Sequence, residues 1–274
     1  MFGSSLPMKT LPDLKYCSRP SPEHDSRRAF TLIDLLVVLG VLAVLGLVLL
    51  PVMAGTAERS QRARCQDNLR RIALGAAIYA GNNNGKIFTS RNIAGSIPPI
   101  FVQLAIDPPN AARAGSVGLS LETNGVWTCP SRPGLPALEI QYPQYSIGYQ
   151  YFGGISWWRN SAYDGVSRSP TNLNTAQPHW ALAADAVIKV NGAWGGSDPA
   201  PAYTNLPQHR AENSAVPQGG NQAFVDGSVQ WIQAEKMNFL SSWATPSRQC
   251  FWYQDPKDFP TTLKNVLPAL SFQP

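Results

Sequence analysis

The side chains of this 274-residue sequence that could do chemistry are its four cysteines, its three histidines and a few carboxylates. His209, Asp185 and Asp226, with the Ser228 hydroxyl, are the residue types of a hydrolytic constellation, in which a base takes a proton from a nucleophile. No nucleophile elbow, zinc spacing or phosphate-cradling glycine loop accompanies them. The chain is therefore not expected to be an enzyme, and no residue is given a catalytic role. Asp185 and Asp226 are also the calcium candidates. Calcium needs roughly six to eight oxygen ligands, however, and two carboxylates far apart in sequence do not make a site. Asn82, Asn83 and Asn84, between Gly81 and Gly85, have the outline of a calcium loop but bring no carboxylate. A helix stop and turn is expected there. No metal and no cofactor is assigned, calcium being the one ion considered. For Cys65, Cys129 and Cys250 the residue types leave open both buried thiols and a disulfide.

The elements that must position these groups divide the chain sharply. All eight Trp lie at or beyond Trp127, and 19 of the 24 Pro lie at or beyond Pro98. Near the N-terminus, residues 35–50 form one apolar run, and no charge occurs from Leu35 to Ala57. A helix of roughly 20 apolar residues crosses a hydrocarbon core of ~30 Å. A cleaved signal peptide would carry a shorter core of about 7–15 residues. A single membrane span is expected, with Arg27 and Arg28 holding the N-terminus in the cytoplasm and the remainder outside it. Asp34 interrupts the start of the run, where a carboxylate at mid-helix would cost ~2.5–3.5 kcal/mol. A chain cut between Ala29 and Phe30 would supply a free amine at Phe30. At ~4 Å and an effective dielectric of ~20 that pair is worth about 4 kcal/mol before desolvation.

From 58 to 80 the helix should continue with Leu69, Ile72, Ala73, Ala76 and Ala80 on one face. Beyond Lys86 the signals are short strands and turns. Residues 145–151 alternate with period two, 180–186 and 223–225 are further strand candidates, and Asp226 with Gly227 suits a two-residue hairpin turn with positive φ at both positions. Charged residues make up only 14% of the chain, which excludes a charge-rich disordered sequence. The net charge of +5 gathers into no aromatic-interleaved basic face. Arg59, Arg62, Arg64, Arg70 and Arg71 have no aromatic neighbour before Tyr79, so nucleic acid is not an expected partner.

Arg27, Arg28 and Ala29 followed by Phe30, Thr31, Leu32, Ile33, Asp34, Leu35, Leu36, Val37 and Val38 resemble the processing site of type IV prepilins and type II secretion pseudopilins. The resemblance implies that prepilin peptidase cuts before Phe30 and methylates its amine, and that Asp34 then assists assembly into a filament. Two residues depart from the family pattern: Ala29 stands where Gly is preferred, and Asp34 where Glu is usual. The helical segment around Cys65 and the Trp127, Thr128, Cys129, Pro130 segment are similar to regions of bacterial pilin-like proteins that share two cysteines. That similarity implies a Cys65–Cys129 disulfide. The hairpin at Asp226 and Gly227, preceded by His209, resembles the signature of a prepilin-associated domain, with an insertion around 217–220.

The resemblance and the residues together give an α+β expectation: a long N-terminal helix, transmembrane in its first half and amphipathic in its second, packed on a C-terminal antiparallel sheet. The expected divisions are a removed leader (1–29), a membrane and assembly helix (30–54), its amphipathic continuation (55–85) and a β-rich domain (86–274). The expected function is a filament subunit whose partners are prepilin peptidase, itself or related pilins, and the inner membrane. The alternative is a membrane-anchored surface protein whose Trp- and Tyr-rich domain binds a polymer such as polysaccharide.

Overall fold

The computed structural model describes residues 31–122, 124–211 and 213–274, and only the backbone of 47–56 and 201. Ala29 and Phe30 lie outside the described residues. The chain divides into two compact units, 1–51 and 52–274. In chain order the elements are α1 (Leu32–Gly81), β1 (Arg91–Ile93), β2 (Ile100–Val102), β3 (Ala105–Ile106), α2 (Pro108–Gly115), β4 (Ala137–Glu139), β5 (Gln144–Ser146), β6 (Tyr149–Tyr151), β7 (Trp157–Arg159) and β8 (Asp164–Val166). They continue with β9 (Ala181–Asp185), β10 (Val187–Val190), β11 (Gly219–Phe224), β12 (Val229–Gln233), β13 (Asn238–Ser241), β14 (Arg248–Trp252) and α3 (Thr261–Leu270).

This corrects the expected fold in two respects. Among the described residues the strands form not one sheet but five small antiparallel ones: β12-β11-β9-β6, β10-β14-β13, β3-β5-β4, β1-β2 and β7-β8. Among the described residues, moreover, no helix is long and apolar enough to cross a membrane. The expected transmembrane half is therefore not found there.

In the first unit, α1 begins with a reciprocal cap. The Thr31 N–H and hydroxyl donate to Asp34 Oδ2 at 3.0 and 2.8 Å, and the Asp34 N–H donates to Thr31 Oγ1 at 3.2 Å. This is a capping box, which satisfies donors that a helix start leaves unpaired. The eleven large apolar side chains between Leu32 and Leu45 are all exposed, from 45% at Val38 to 78% at Leu32.

In the second unit the α1 stripe of Cys65, Leu69, Ile72, Ala73 and Ala76 is buried with Phe88, Trp127, Tyr149, Tyr151, Leu182, Ala183, Ala223 and Val229. A second core, with Phe152, Trp158, Val187, Cys250, Trp252, Phe259 and Leu263, also takes in Ala181, Ala184 and Phe224. The strands β9 and β11 thus contribute to both cores, and every residue of β6, β9 and β11 is buried. Such strands lack the alternation of a half-exposed sheet.

The alternating segment 145–151 is accordingly not one strand. Ile147 and Gly148 divide it into β5 and β6, which belong to different sheets. At the break, Gly148 donates its N–H to the Trp127 carbonyl at 2.9 Å. A Cβ there would come within 2.5 Å of that oxygen and 2.6 Å of the Cys129 nitrogen. Gly148→Ala is expected to push the Cys129 loop off β6 and destabilise the domain by about 1–3 kcal/mol, as overpacking does. A denaturation midpoint equal to the parent's would refute this.

The hairpin at Asp226 also differs from expectation. Only Gly227 has positive φ, at 83°. Gly227 N–H donates to the Phe224 carbonyl, and Phe224 N–H donates to Ser228. That is a three-residue loop closing on a glycine bulge, not a two-residue turn.

Candidate functional site

The face of the central sheet that meets α1 holds a buried polar cluster in the middle of apolar packing. Its parts come from four places: Glu58, Arg62 and Cys65 from α1, Cys129 from the loop before β4, Asp185 from the end of β9, and His209 from the loop before β11. Helix and strand periodicity accounts for the convergence. Glu58, Arg62, Cys65 and Leu69 recur every three or four residues and so share one side of α1.

Cys65 and Cys129 are fully buried, and their sulfurs are 3.3 Å apart with no bond between them. The Asp185 side chain has no exposed surface. Its Oδ2 accepts the Asn221 N–H at 2.6 Å and the Asn221 side-chain amide at 3.0 Å, and His209 Nε2 lies 3.1 Å away. Its Oδ1 has no hydrogen-bond partner. On the other side of the imidazole, His209 Nδ1 is 2.9 Å from Glu58 Oε1, which also accepts from Arg62 Nε at 2.7 Å. Trp231 closes the outer side, edge-on to the His209 ring at 5.5 Å, with the Arg62 guanidinium 3.9 Å from its ring centre. The His209 backbone is left-handed, with φ 52°, a conformation unusual for residues other than glycine. That turn of the chain sends the ring inward.

Burial works against a charged imidazole, but the carboxylates of Asp185 and Glu58 overcome it and raise the His209 pKa to about 9. The hydrogen bond with Cys129, reinforced by burial, pushes the Cys65 thiol far up. At Cys129 burial also opposes ionisation, yet the hydrogen bonds with Cys65 and Ser131 outweigh it and bring its pKa below the ordinary thiol value. The cluster can thus hold charge, exchange protons or hold a ligand. Its sulfurs, however, are closed to any substrate that must arrive from solvent.

The structure brings together Cys65 with Cys129, and His209 with Asp185. It does not bring Asp226 to either. Asp226 is exposed at the hairpin tip, where its carboxylate accepts the Ser228 N–H at 2.9 Å. The two calcium candidates therefore share no site, and the Asp185, Asp226, Ser228 and His209 constellation does not assemble. Cys250 lies in the other core, where burial raises its thiol above the usual range. Sequence reasoning missed Glu58, Arg62 and Asn221, whose roles depend on residues distant in sequence: His209 for Glu58, Trp231 for Arg62 and Asp185 for Asn221.

It also missed Arg132, which is fully buried. Its guanidinium donates to the carbonyls of Thr204, Ile147, Gly148 and Ala202, and burial brings its pKa down to about 10. No signal at position 132 marks it, since the acceptors are backbone oxygens that every residue carries.

No family model, no curated protein and no solved structure matches this chain.

Proposed function

We propose that the chain is a pilin-like structural subunit, pilin or pseudopilin, of a type IV pilus-like or type II secretion-like filament. In this reading prepilin peptidase removes residues 1–29 and methylates Phe30. The apolar run is held in the inner membrane with its N-terminus cytoplasmic and the second unit in the periplasm. The chain then passes into a filament by lateral packing of its apolar helix against copies of itself or related subunits.

The observation that carries this is the first unit's surface. Eleven large apolar side chains between Leu32 and Leu45 are exposed on every side of α1. A helix that is apolar all round must be covered by lipid or by other helices, because soluble proteins rarely leave so large an apolar surface in water. The processing-site resemblance at residues 27–38 favours helices over lipid as the final cover. The polysaccharide-binding alternative gains less support. Trp127, Trp158 and Trp252 are wholly buried, so core packing rather than sugar stacking accounts for them.

The test is the mass of the chain recovered from the membrane fraction. It should begin at Phe30 and carry one methyl group, and Ala29→Gly should speed the cut. An intact N-terminus, or a cut after Ala54, would refute processing at this site.

A further inference from the structure

The buried cluster contains an acceptor without a donor. Asp185 Oδ1 lies in the protein interior with no hydrogen-bond partner, a condition that folded proteins rarely tolerate. The same carboxylate stands beside two sulfurs: one Asp185 oxygen and the sulfurs of Cys65 and Cys129 all lie within 4.8 Å of one another. We propose that Cys65, Cys129 and Asp185 form a binding site for a thiophilic divalent cation of the zinc class, held by the two Sγ atoms and Asp185 Oδ1.

Donor chemistry chooses the class of ion. Two thiolates and a carboxylate suit zinc, which takes tetrahedral sulfur, nitrogen and oxygen ligands, and they reject calcium, which requires oxygens. Spacing points the same way. Two thiolates on a tetrahedral zinc stand about 3.8 Å apart, whereas disulfide sulfurs stand about 2.0 Å apart. The observed 3.3 Å needs the smaller movement to reach the first arrangement. Charge is conserved as well, since a divalent ion replaces the two thiol protons that it displaces.

The surroundings supply the outer support that metal sites need. Asn221 donates twice to Asp185 Oδ2 and His209 Nε2 lies 3.1 Å from that oxygen, which leaves Oδ1 as the free oxygen, and Glu58 holds His209 from its far side. His209 is a positioning residue here, acting through Asp185. A bound ion would join α1, the loop before β4 and the end of β9, tying the helix to the central sheet. All of this lies within the second unit and holds whether or not the chain enters a filament.

The experiment uses the full chain in detergent, isolated without chelator from cells alkylated before lysis. The expected result is about one zinc per chain by elemental analysis, with Cys65 and Cys129 protected from alkylation. After chelation under reductant, added Co²⁺ should give a thiolate-to-cobalt charge-transfer band and the visible bands of tetrahedral cobalt. Cys65→Ser and Cys129→Ser should lose the charge-transfer band, Asp185→Asn should weaken Co²⁺ binding at least tenfold, and Cys250→Ser should keep the parent's spectrum. The parent alone already decides the matter should the serine variants fail to fold. A Cys65–Cys129 disulfide in the chain from alkylated cells, a reduced parent that takes up neither metal, or a band retained in Cys129→Ser would each overturn the site.

Discussion

Asp34→Ala is expected to reach the membrane at the parent's level and to fail to enter the proposed filaments, while Asp34→Glu should assemble at least as well as the parent. The carboxylate has two sources of compensation. One lies within the helix, where Asp34 accepts from the Thr31 N–H and hydroxyl and returns its own N–H to Thr31. The other is the proposed free amine of Phe30, on the same chain or on a neighbour. A capping residue replaced by alanine costs typically ~1 kcal/mol. An amine left without its carboxylate in an apolar bundle costs more, because removing one partner of a buried pair strands the other.

The two contributions separate by variant. Thr31→Ala removes the reciprocal cap but leaves the carboxylate for the amine, so it should assemble at a modestly reduced level. Asp34→Ala removes both and should cut sheared-filament yield, normalised to membrane level, by roughly tenfold or more, since each ~1.4 kcal/mol is a factor of ten. Equal yields for the parent and Asp34→Ala would remove the main physical argument for assembly. An equal loss in Thr31→Ala and Asp34→Ala would mean that Asp34 acts as a cap alone.

The second large effect concerns His209, and it appears as a pH dependence of stability. The imidazole has an ordinary pKa of about 6.5 in the unfolded chain and one raised to about 9 in the folded one. A group whose folded pKa is raised contributes its full stability below the unfolded value and loses it as pH rises through the folded value. The reduced, metal-free protein should therefore lose up to about 3 kcal/mol of unfolding free energy between pH 6.5 and 9. His209→Gln cannot titrate, and the difference between parent and variant should shrink across the same window. His209→Ala leaves Asp185 without its cation, while Glu58 keeps Arg62, and Asp185 cannot be rehydrated where it lies. A loss of about 3–5 kcal/mol is expected at neutral pH, the usual cost of breaking a buried ion pair. Denaturant unfolding at several pH values reads all three. Parallel pH profiles for parent and His209→Gln would show that the imidazole carries no proton in the folded state.

The sequence by itself determined the features that depend on neighbours along the chain. The burial stripe Leu69, Ile72, Ala73, Ala76 and Ala80 was legible because helical periodicity puts those residues on one face whatever that face meets. The stop after Gly81 was legible because Asn84 and Gly85 can take the left-handed backbone that ends a helix, and both do. A hairpin at Asp226 and Gly227 was legible from turn chemistry, although its loop length was not, since closure on the bulge depends on how β11 and β12 pair.

Tertiary structure decided the rest. Gly219 to Phe224 lies between two cores, so it shows neither alternation nor a long apolar run, and no local pattern identifies it as a central strand. The break at Gly148 was hidden for a related reason. Residues 145–151 do alternate, but the close approach of the Trp127 carbonyl divides them between two sheets. The buried cluster was half legible. Cys65, Cys129, Asp185 and His209 are each legible by residue type, but residue types group His209 with Asp226 and Ser228 as readily as with Asp185. The fold keeps Asp185, drops Asp226 and Ser228 and adds Glu58, because a left-handed turn at position 209 directs the ring into the seam between α1 and β9. Residue types and spacing announce which groups can act, but which of them meet is a property of the packed chain.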